Sequence, residues 1–176
     1  MSELLILVDE HDNEMGVMDK LSAHQTGSLH RAFSIFIFNS NGEVLLQQRA
    51  DEKYHSAGLW SNTCCSHPVK GEDISVSINR RLDEEMGIHA RLEFIFSFIY
   101  KTELEHGLTE HEFDHVYFGF TDDQPKPNPA EVKSWKYMDL HALQTDIQLH
   151  PENYSAWLAI CLSKVTAQST RNPKIK

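Results

Sequence analysis

The stretch SHPVKGEDISVSINRRLDEEMGI, residues 66–88, decides the fold. Within it, Asp73 to Met86 reads as a helix. Asp73 is a short acceptor of the kind that caps a helix start, and Gly87 is the residue that ends one. Ile74, Ile78 and Leu82 recur at four-residue spacing and define a stripe to be buried. On the helical wheel Glu85 falls within about 20° of Ile74 and shares that stripe. It also stands in the last turn, where the helix dipole disfavours a negative charge. A bound cation would offset both costs. An ion pair with Arg81, one turn earlier on the same face, would do so too. The wheel leaves these two readings open.

Strand patterns flank this helix. Upstream, LLILV (4–8) reads as a first strand, followed by the turn-like HDNEMG (11–16). Residues 17–30, broken by Gly27, read as an irregular loop. AFSIFIF (32–38) is aromatic and β-branched, as a strand requires. Asn39 to Gly42 then gives the strongest turn signal in the chain, with EVLLQQR (43–49) returning as a hairpin. Residues 51–71 are scattered small and polar side chains around Trp60, Cys64, Cys65 and His67. Downstream, LEFIFSFIY (92–100), EFDHVYFGFT (112–121) and residues 133–138 read as strands, with a proline-rich loop over 122–131. Pro151 opens a last helix, 151–165, with Tyr154, Trp157, Leu158, Cys161, Leu162 and Val165 on one face. The polar, basic tail 166–176 is expected to fray. The interleaving lacks a regular βαβ rhythm, so the fold class is α+β, a mixed sandwich.

The whole-chain figures bound the function. A chain of 176 residues, 40% apolar and 24% charged, suits one compact soluble domain. The net charge of −10 argues against a nucleic-acid partner. No segment reaches the roughly 20 apolar residues of a membrane span. The start MSELLILVDE has no basic region and reads as a strand, not a leader. Three cysteines, two of them adjacent, are no disulfide framework. The expected setting is the reducing cytoplasm.

Chemistry concentrates in TEHEFDH (109–115). On a strand, Glu110, Glu112 and Asp114 share one face, with His111 and His115 on the other. Stacked carboxylates need a cation or open solvent, and an acidic edge strand in water is the bland alternative. His24, His30 and His67 lie in segments read as loops around the core strands. Imidazole and carboxylate donors together suit zinc or manganese, although with 11 histidines in the chain any one of them is more often surface or core. Cys65, two residues before His67, is either a buried inert thiol or a thiolate base. In an extended stretch Cys64 faces the other way. Lys20, Arg49, Lys53 and Arg81 are able to neutralise a phosphate or are simply solvated.

Residues 66–88 resemble the Nudix box, with Glu72, Arg80, Glu84, Glu85, Gly87 and Ile88 matching. Ser66 stands where the first glycine belongs, and Arg81 where the second glutamate belongs. That arginine removes a metal ligand from the hydrolase pattern and brings a group that grips diphosphate. The wider pattern is similar to the type I isopentenyl diphosphate isomerases, a Nudix-superfamily branch. It is carried by DKLSAH (19–24), SLHRAF (28–33), LLQQRA (45–50), GLWSNTCCSHP (58–68), RRLDEEMGI (80–88) and EHEFDHVYF (110–118). Ser56-Ala57 depart from the aromatic-proline pair common there.

The resemblance implies a Nudix-like α/β/α sandwich with a mixed sheet, a single catalytic domain over 1–165 with an N-terminal extension over 1–31. It implies interconversion of isopentenyl and dimethylallyl diphosphate through a carbocation. Implied ligands of one divalent metal, Mn2+ or Zn2+, are His24, His30, His67, Glu110 and Glu112. Glu85 would hold Mg2+ bridging to the diphosphate of a small prenyl substrate, gripped by Lys20, Arg49, Lys53 and Arg81. Cys65 and Glu112 would form the acid–base pair, with Glu112 giving the proton and Cys65 taking one. Tyr100 would assist near Glu112, and Trp157 would shield the cation. The expected state is a monomer or homodimer without nucleic acid or membrane. The rival readings are a Nudix diphosphohydrolase and a non-catalytic binding protein.

Overall fold

The computed structural model describes residues 4–172, 174 and 175. The Nudix-box helix, α2 (Ile74–Met86), forms as its sequence requires. The Asp73 carboxylate accepts the Ser75 N–H at 2.7 Å. At the other end Gly87 takes φ 61° and its N–H donates to the Asp83 carbonyl at 2.8 Å. Any side chain there would bring its Cβ within 2.6 Å of the Lys126 carbonyl oxygen. The proline-rich loop approaches that closely because it finishes the helix. The Lys126 N–H donates to the Met86 carbonyl at 2.8 Å and the Asn128 N–H to that of Glu85 at 2.9 Å. These carbonyls would otherwise lack intrahelical partners.

The sheet is organised about β3 (His30–Phe38). Along one edge, β8 (Thr109–Phe120) runs parallel to it in unbroken register from His30↔Glu112 to Phe38↔Phe120. Along the other edge, three strands follow one another, all antiparallel: β1 (Leu4–Val8), β6 (Cys64–Ser66) and β4 (Val44–Arg49). β2 (Glu14–Asp19) pairs with β1, while β5 (Trp60–Ser61) and β9 (Val132–Met138) pair with β4. β7 (Glu93–Glu103) lies antiparallel to β8.

The period-two alternation of β3 builds a core on each side of this sheet. Phe33, Ile35 and Ile37 face one way, against Ile78, Leu82 and Met86 of α2. Phe36 and Phe38 face the other way. There they meet α3 (Leu140–Leu149) and α4 (Ala156–Ser169) through Leu143, Leu158, Leu162 and Val165. Each fully buried aliphatic or aromatic side chain contributes about 1.5–3 kcal/mol. The result is the expected α+β sandwich with a mixed sheet. Among the described residues no helix is long and apolar enough to cross a membrane.

Several local expectations change. Residues 17–30 are not a loop: the end of β2 leads into α1 (Lys20–Thr26), capped by Asp19 and closed by Gly27 at φ 62°. Residues 51–71 contain the two short strands β5 and β6. Pro151 opens a 3-10 turn over Pro151–Asn153, and the last helix starts only at Ala156. That helix continues past Val165 to Ser169, whose side chain is buried, so the expected fraying does not begin at 166. Of the expected terminal segments, residues 1–3, Pro173 and Lys176 lie outside the described residues. Helix α3 lies where no element was expected.

Candidate active site

The acidic strand is not an edge. β8 is enclosed between β3 and β7, and Glu110, Glu112 and Asp114 are all buried. Water therefore does not screen these carboxylates, and neighbouring side chains must. Tyr100 stands opposite Glu112 on β7, and His30 stands opposite it on β3. The three form one row across adjacent strands. The Tyr100 hydroxyl lies 2.7 Å from Glu112 Oε2 and 3.1 Å from Glu110 Oε2, a donor shared between two acceptors. On the other carboxylate oxygen, Glu112 Oε1, His67 Nε2 approaches to 3.1 Å and His30 Nε2 to 3.5 Å. Asp114 accepts from the Ser34 hydroxyl at 2.7 Å.

This arrangement splits the carboxyls. Burial opposes ionisation of Glu112, yet the imidazoles of His30 and His67 outweigh it and hold the group well below the usual carboxylate range. Glu110 is driven far up by burial and by the charge of Glu112. Burial, then Glu112, raises Asp114 to about 8.

Two of the imidazoles are oriented by main-chain carbonyls. His24 Nδ1 lies 2.6 Å from the Lys20 carbonyl oxygen, and His30 Nδ1 lies 2.8 Å from that of Ser28. A carbonyl only accepts, so each Nδ1 carries a hydrogen and each Nε2 is turned toward the acidic strand. Both Nε2 atoms are buried without a hydrogen-bond partner among the described residues. Burial also keeps His24 neutral, with its pKa drawn down to about 4. One donor atom from each of His24, His30, His67 and Glu112 lies within 4.8 Å of all the others. Imidazoles gathered around a carboxylate, two of them oriented by main-chain carbonyls, are the donor set of a transition-type divalent ion. The residues fit such an ion.

Glu110, expected in the same set, lies beside it, in a group with His24 and His55. His55 was not among the expected site residues. It is one histidine of eleven, in a segment whose spacing carries no signal.

A cavity of about 110 Å³ opens beside these groups, lined by Tyr100, Glu110, Glu112, His67 and Cys65. Trp157 and all four expected diphosphate residues, Lys20, Arg49, Lys53 and Arg81, also line it. Cys65 and Cys64 do part company: Cys64 is packed against the α2 core, while Cys65 reaches the cavity. The cavity does not favour a standing thiolate. Burial pushes the Cys65 thiol up to about 12, with Arg49 pulling the other way and Glu85, Glu110 and Glu112 adding to the rise. In the resting charge state Cys65 is therefore a thiol.

The cationic wall is held in place. The Arg49 guanidinium donates to the carbonyls of His55 and Ser56, each at 3.1 Å, and lies 5.2 Å from the centre of the Trp157 ring. Lys20 places its ammonium 5.7 Å from the Tyr54 ring. Lys53 pairs with Glu131, and Arg81 lies 3.7 Å from the same carboxylate. Glu131 arrives on the proline-rich loop, far from both in sequence. Of the two readings of Glu85, the ion pair with Arg81 is present. Glu85 also accepts from Gln47 at 2.9 Å and lines the cavity. Trp157 is both core and cavity wall, as its helix face implied.

Named relatives are close to this chain in sequence. An isopentenyl-diphosphate Delta-isomerase 2 of Aromatoleum aromaticum is 52% identical over 98% of this chain and 91% of its own length. The chain belongs to the isopentenyl-diphosphate Delta-isomerase family. The isopentenyl-diphosphate Delta-isomerase of Pectobacterium atrosepticum is 49% identical over 92% of this chain and 90% of its own length. Residues 28–158 match the NUDIX domain. The crystal structure of the DR0079 protein of Deinococcus radiodurans superposes with a TM-score of 0.77 at 19% identity, over 92% of this chain and 98% of that one. A MutT protein of Methanosarcina mazei gives 0.65 at 18% identity, over 79% and 94%. At that identity these structures speak for the fold alone. Within the family's fold, the cavity lies where the end of β6 and the first residues of β8 meet the second half of α2 and the first turn of α4.

Proposed function

We propose that this chain interconverts isopentenyl and dimethylallyl diphosphate by moving a proton onto one carbon of the alkene and removing one from another. The observation that carries the reading is the single cavity in which the thiol of Cys65 and the carboxylate of Glu112 meet beside a wall of cations. An isoprenoid alkene is weakly basic, and its protonation leaves a tertiary carbocation that water would trap. The reaction therefore needs an acid, a base and a dry enclosure together. Cys65 and Glu112 form the acid–base pair, and the direction of the reaction sets which of them gives. Tyr100, hydrogen-bonded to Glu112, holds or relays the proton there. The ring of Trp157 faces the cation electrostatically.

Lys20, Arg49, Lys53 and Arg81 grip the diphosphate, with Arg49 and Arg81 offering planar, bidentate geometry. His24, His30, His67 and Glu112, with Glu110 nearby, would hold a divalent ion, zinc or manganese. Glu85 would hold magnesium at the diphosphate. Such ions supply positive charge to the acidic strand and to the substrate oxygens. Arg81, standing in the Nudix helix beside Glu85, disfavours the several-ion arrangement of a hydrolase. We place the enzyme in the cytoplasm, as a monomer or homodimer, where Cys65 stays reduced.

The test is incubation with isopentenyl diphosphate and magnesium in deuterated water. Dimethylallyl diphosphate labelled with deuterium is expected. Release of phosphate from nucleoside diphosphate derivatives, with no labelled product, would overturn the assignment in favour of a hydrolase.

A further inference from the structure

The chain winds a loop around Arg49. The Arg49 N–H donates to the Leu59 carbonyl at 2.9 Å, and the Arg49 carbonyl accepts from the Gly58 N–H at 3.2 Å. Its guanidinium, which lines the cavity, donates to the carbonyls of His55 and Ser56, each at 3.1 Å. The direction of those two carbonyls therefore sets where the guanidinium stands. Both depend on an uncommon turn of the main chain. Ser56 is buried and takes φ 49°, in the left-handed region. A residue with a side chain is costly there and persists where its surroundings hold it. The Ser56 N–H is held from 49 positions away, by the carboxylate of Glu105. A charged acceptor is the stronger kind of partner for a main-chain donor. Glu105 opens the 3-10 turn Glu105–Gly107, which joins β7 to β8. Across that turn the Leu104 N–H donates to the Leu108 carbonyl at 2.8 Å. The same hairpin carries Tyr100, Glu110 and Glu112. Glu105 itself is exposed, and the described residues lining the cavity do not include it.

We propose that Glu105 is a positioning residue for the diphosphate grip. It latches Ser56 in the left-handed turn and so aims the carbonyls that hold Arg49. The latch also ties the loop around Arg49 to the hairpin that carries the acidic strand, so the two halves of the site keep one spacing. The inference rests on the reading above in taking a diphosphate as the ligand of Arg49. Its sign is distinctive. A carboxylate on the loop that holds a cationic wall repels a diphosphate, so by charge alone its removal tightens binding. Removal of a latch loosens it.

The experiment reads binding and turnover apart. Inorganic pyrophosphate with magnesium is titrated into the full chain by calorimetry, and KM and kcat for isopentenyl diphosphate are measured on the same samples. In Glu105→Ala the pyrophosphate Kd and the KM are each expected to rise about tenfold, the weight of one hydrogen bond to a charged group. The kcat is expected to change by less than about twofold, because Cys65 and Glu112 are untouched. Glu105→Gln keeps an acceptor without the charge and should restore most of the lost affinity. Glycine adopts the left-handed turn unaided. In a Ser56→Gly background, Glu105→Ala should therefore cost about threefold or less. Unchanged or tighter binding in Glu105→Ala overturns the latch, as does a lower melting temperature with KM unmoved. An undiminished cost in the Ser56→Gly background overturns it too. Labelled product formation by the unaltered chain tests the isomerase reading separately. A chain that yields no such product, yet binds pyrophosphate more weakly in Glu105→Ala, loses that reading and keeps the latch.

Discussion

The indole N–H of Trp157 donates to the side-chain oxygen of Asn62 at 3.1 Å, and the amide of Asn62 donates in turn to the carbonyls of Ile35 at 3.2 Å and Cys64 at 2.9 Å. Asn62 thus ties the ring on α4 to the strand that carries Cys65. Ser61 donates to the same oxygen at 3.0 Å and meets Ser155, the residue before α4, at 3.0 Å. Replacing Asn62 by leucine strands several buried polar groups. The expected cost is about 1–3 kcal/mol for each left unpaired, seen as a lower melting temperature. Turnover should fall with KM little changed, because Asn62 does not touch the cationic wall.

Cys65→Ala and Glu112→Gln should each lower kcat by about a hundredfold or more while the protein remains folded. Circular dichroism and turnover measured on the same samples check this. A Cys65→Ala enzyme with full activity would remove the thiol from the reaction.

Tyr100→Phe deletes the hydroxyl that two buried carboxyls share. The metal-free variant should lose about 1–3 kcal/mol in denaturant unfolding. Added zinc or manganese should recover part of that loss, since an ion binding only the folded chain stabilises it by about 2.7 kcal/mol at a hundred times its Kd.

Acid should unfold the metal-free protein partly through its buried imidazoles. Burial lowers His55 to about 3 and His24 to about 4. In the unfolded chain both take up protons near pH 6.5. Between those values the unfolded state binds more protons, so stability falls as pH falls through 6.5 and downward. Each group contributes a slope of about 1.4 kcal/mol per pH unit in that window. In His55→Gln the slope of stability against pH between about 6 and 4 should drop by that amount.

What could be read in the sequence followed local rules. Asp73, the Ile74–Ile78–Leu82 stripe and Gly87 specified α2 to the residue, and the Asn39–Gly42 turn specified the hairpin. Alternation correctly put Glu110, Glu112 and Asp114 on one face, but whether that face was wet depended on β3 and β7, which pack from elsewhere in the chain. The same ends that mark α2 also mark α1, with Asp19 capping and Gly27 stopping it, yet a helix of seven residues has no room for a repeating stripe. Pro151 was read as a helix start because its fixed φ suits that position, and the 3-10 turn uses the same property. His55 and Glu131 became visible only in three dimensions, since each matters through a partner on a distant segment. The roles expected of Cys65 and its neighbours came from family resemblance, and the sequence could not weigh the burial that keeps the thiol protonated.

The row formed by Tyr100, Glu112 and His30 has a kinetic consequence. Its β7–β8 half joins residues close along the chain, but its β3–β8 half is a parallel pairing that closes a loop of some eighty residues, from His30 to Glu112. Such distant parallel pairings form slowly. During refolding, ion binding and catalysis should therefore return together, and later than helical signal, because neither exists until the last-zipped strands have found their register.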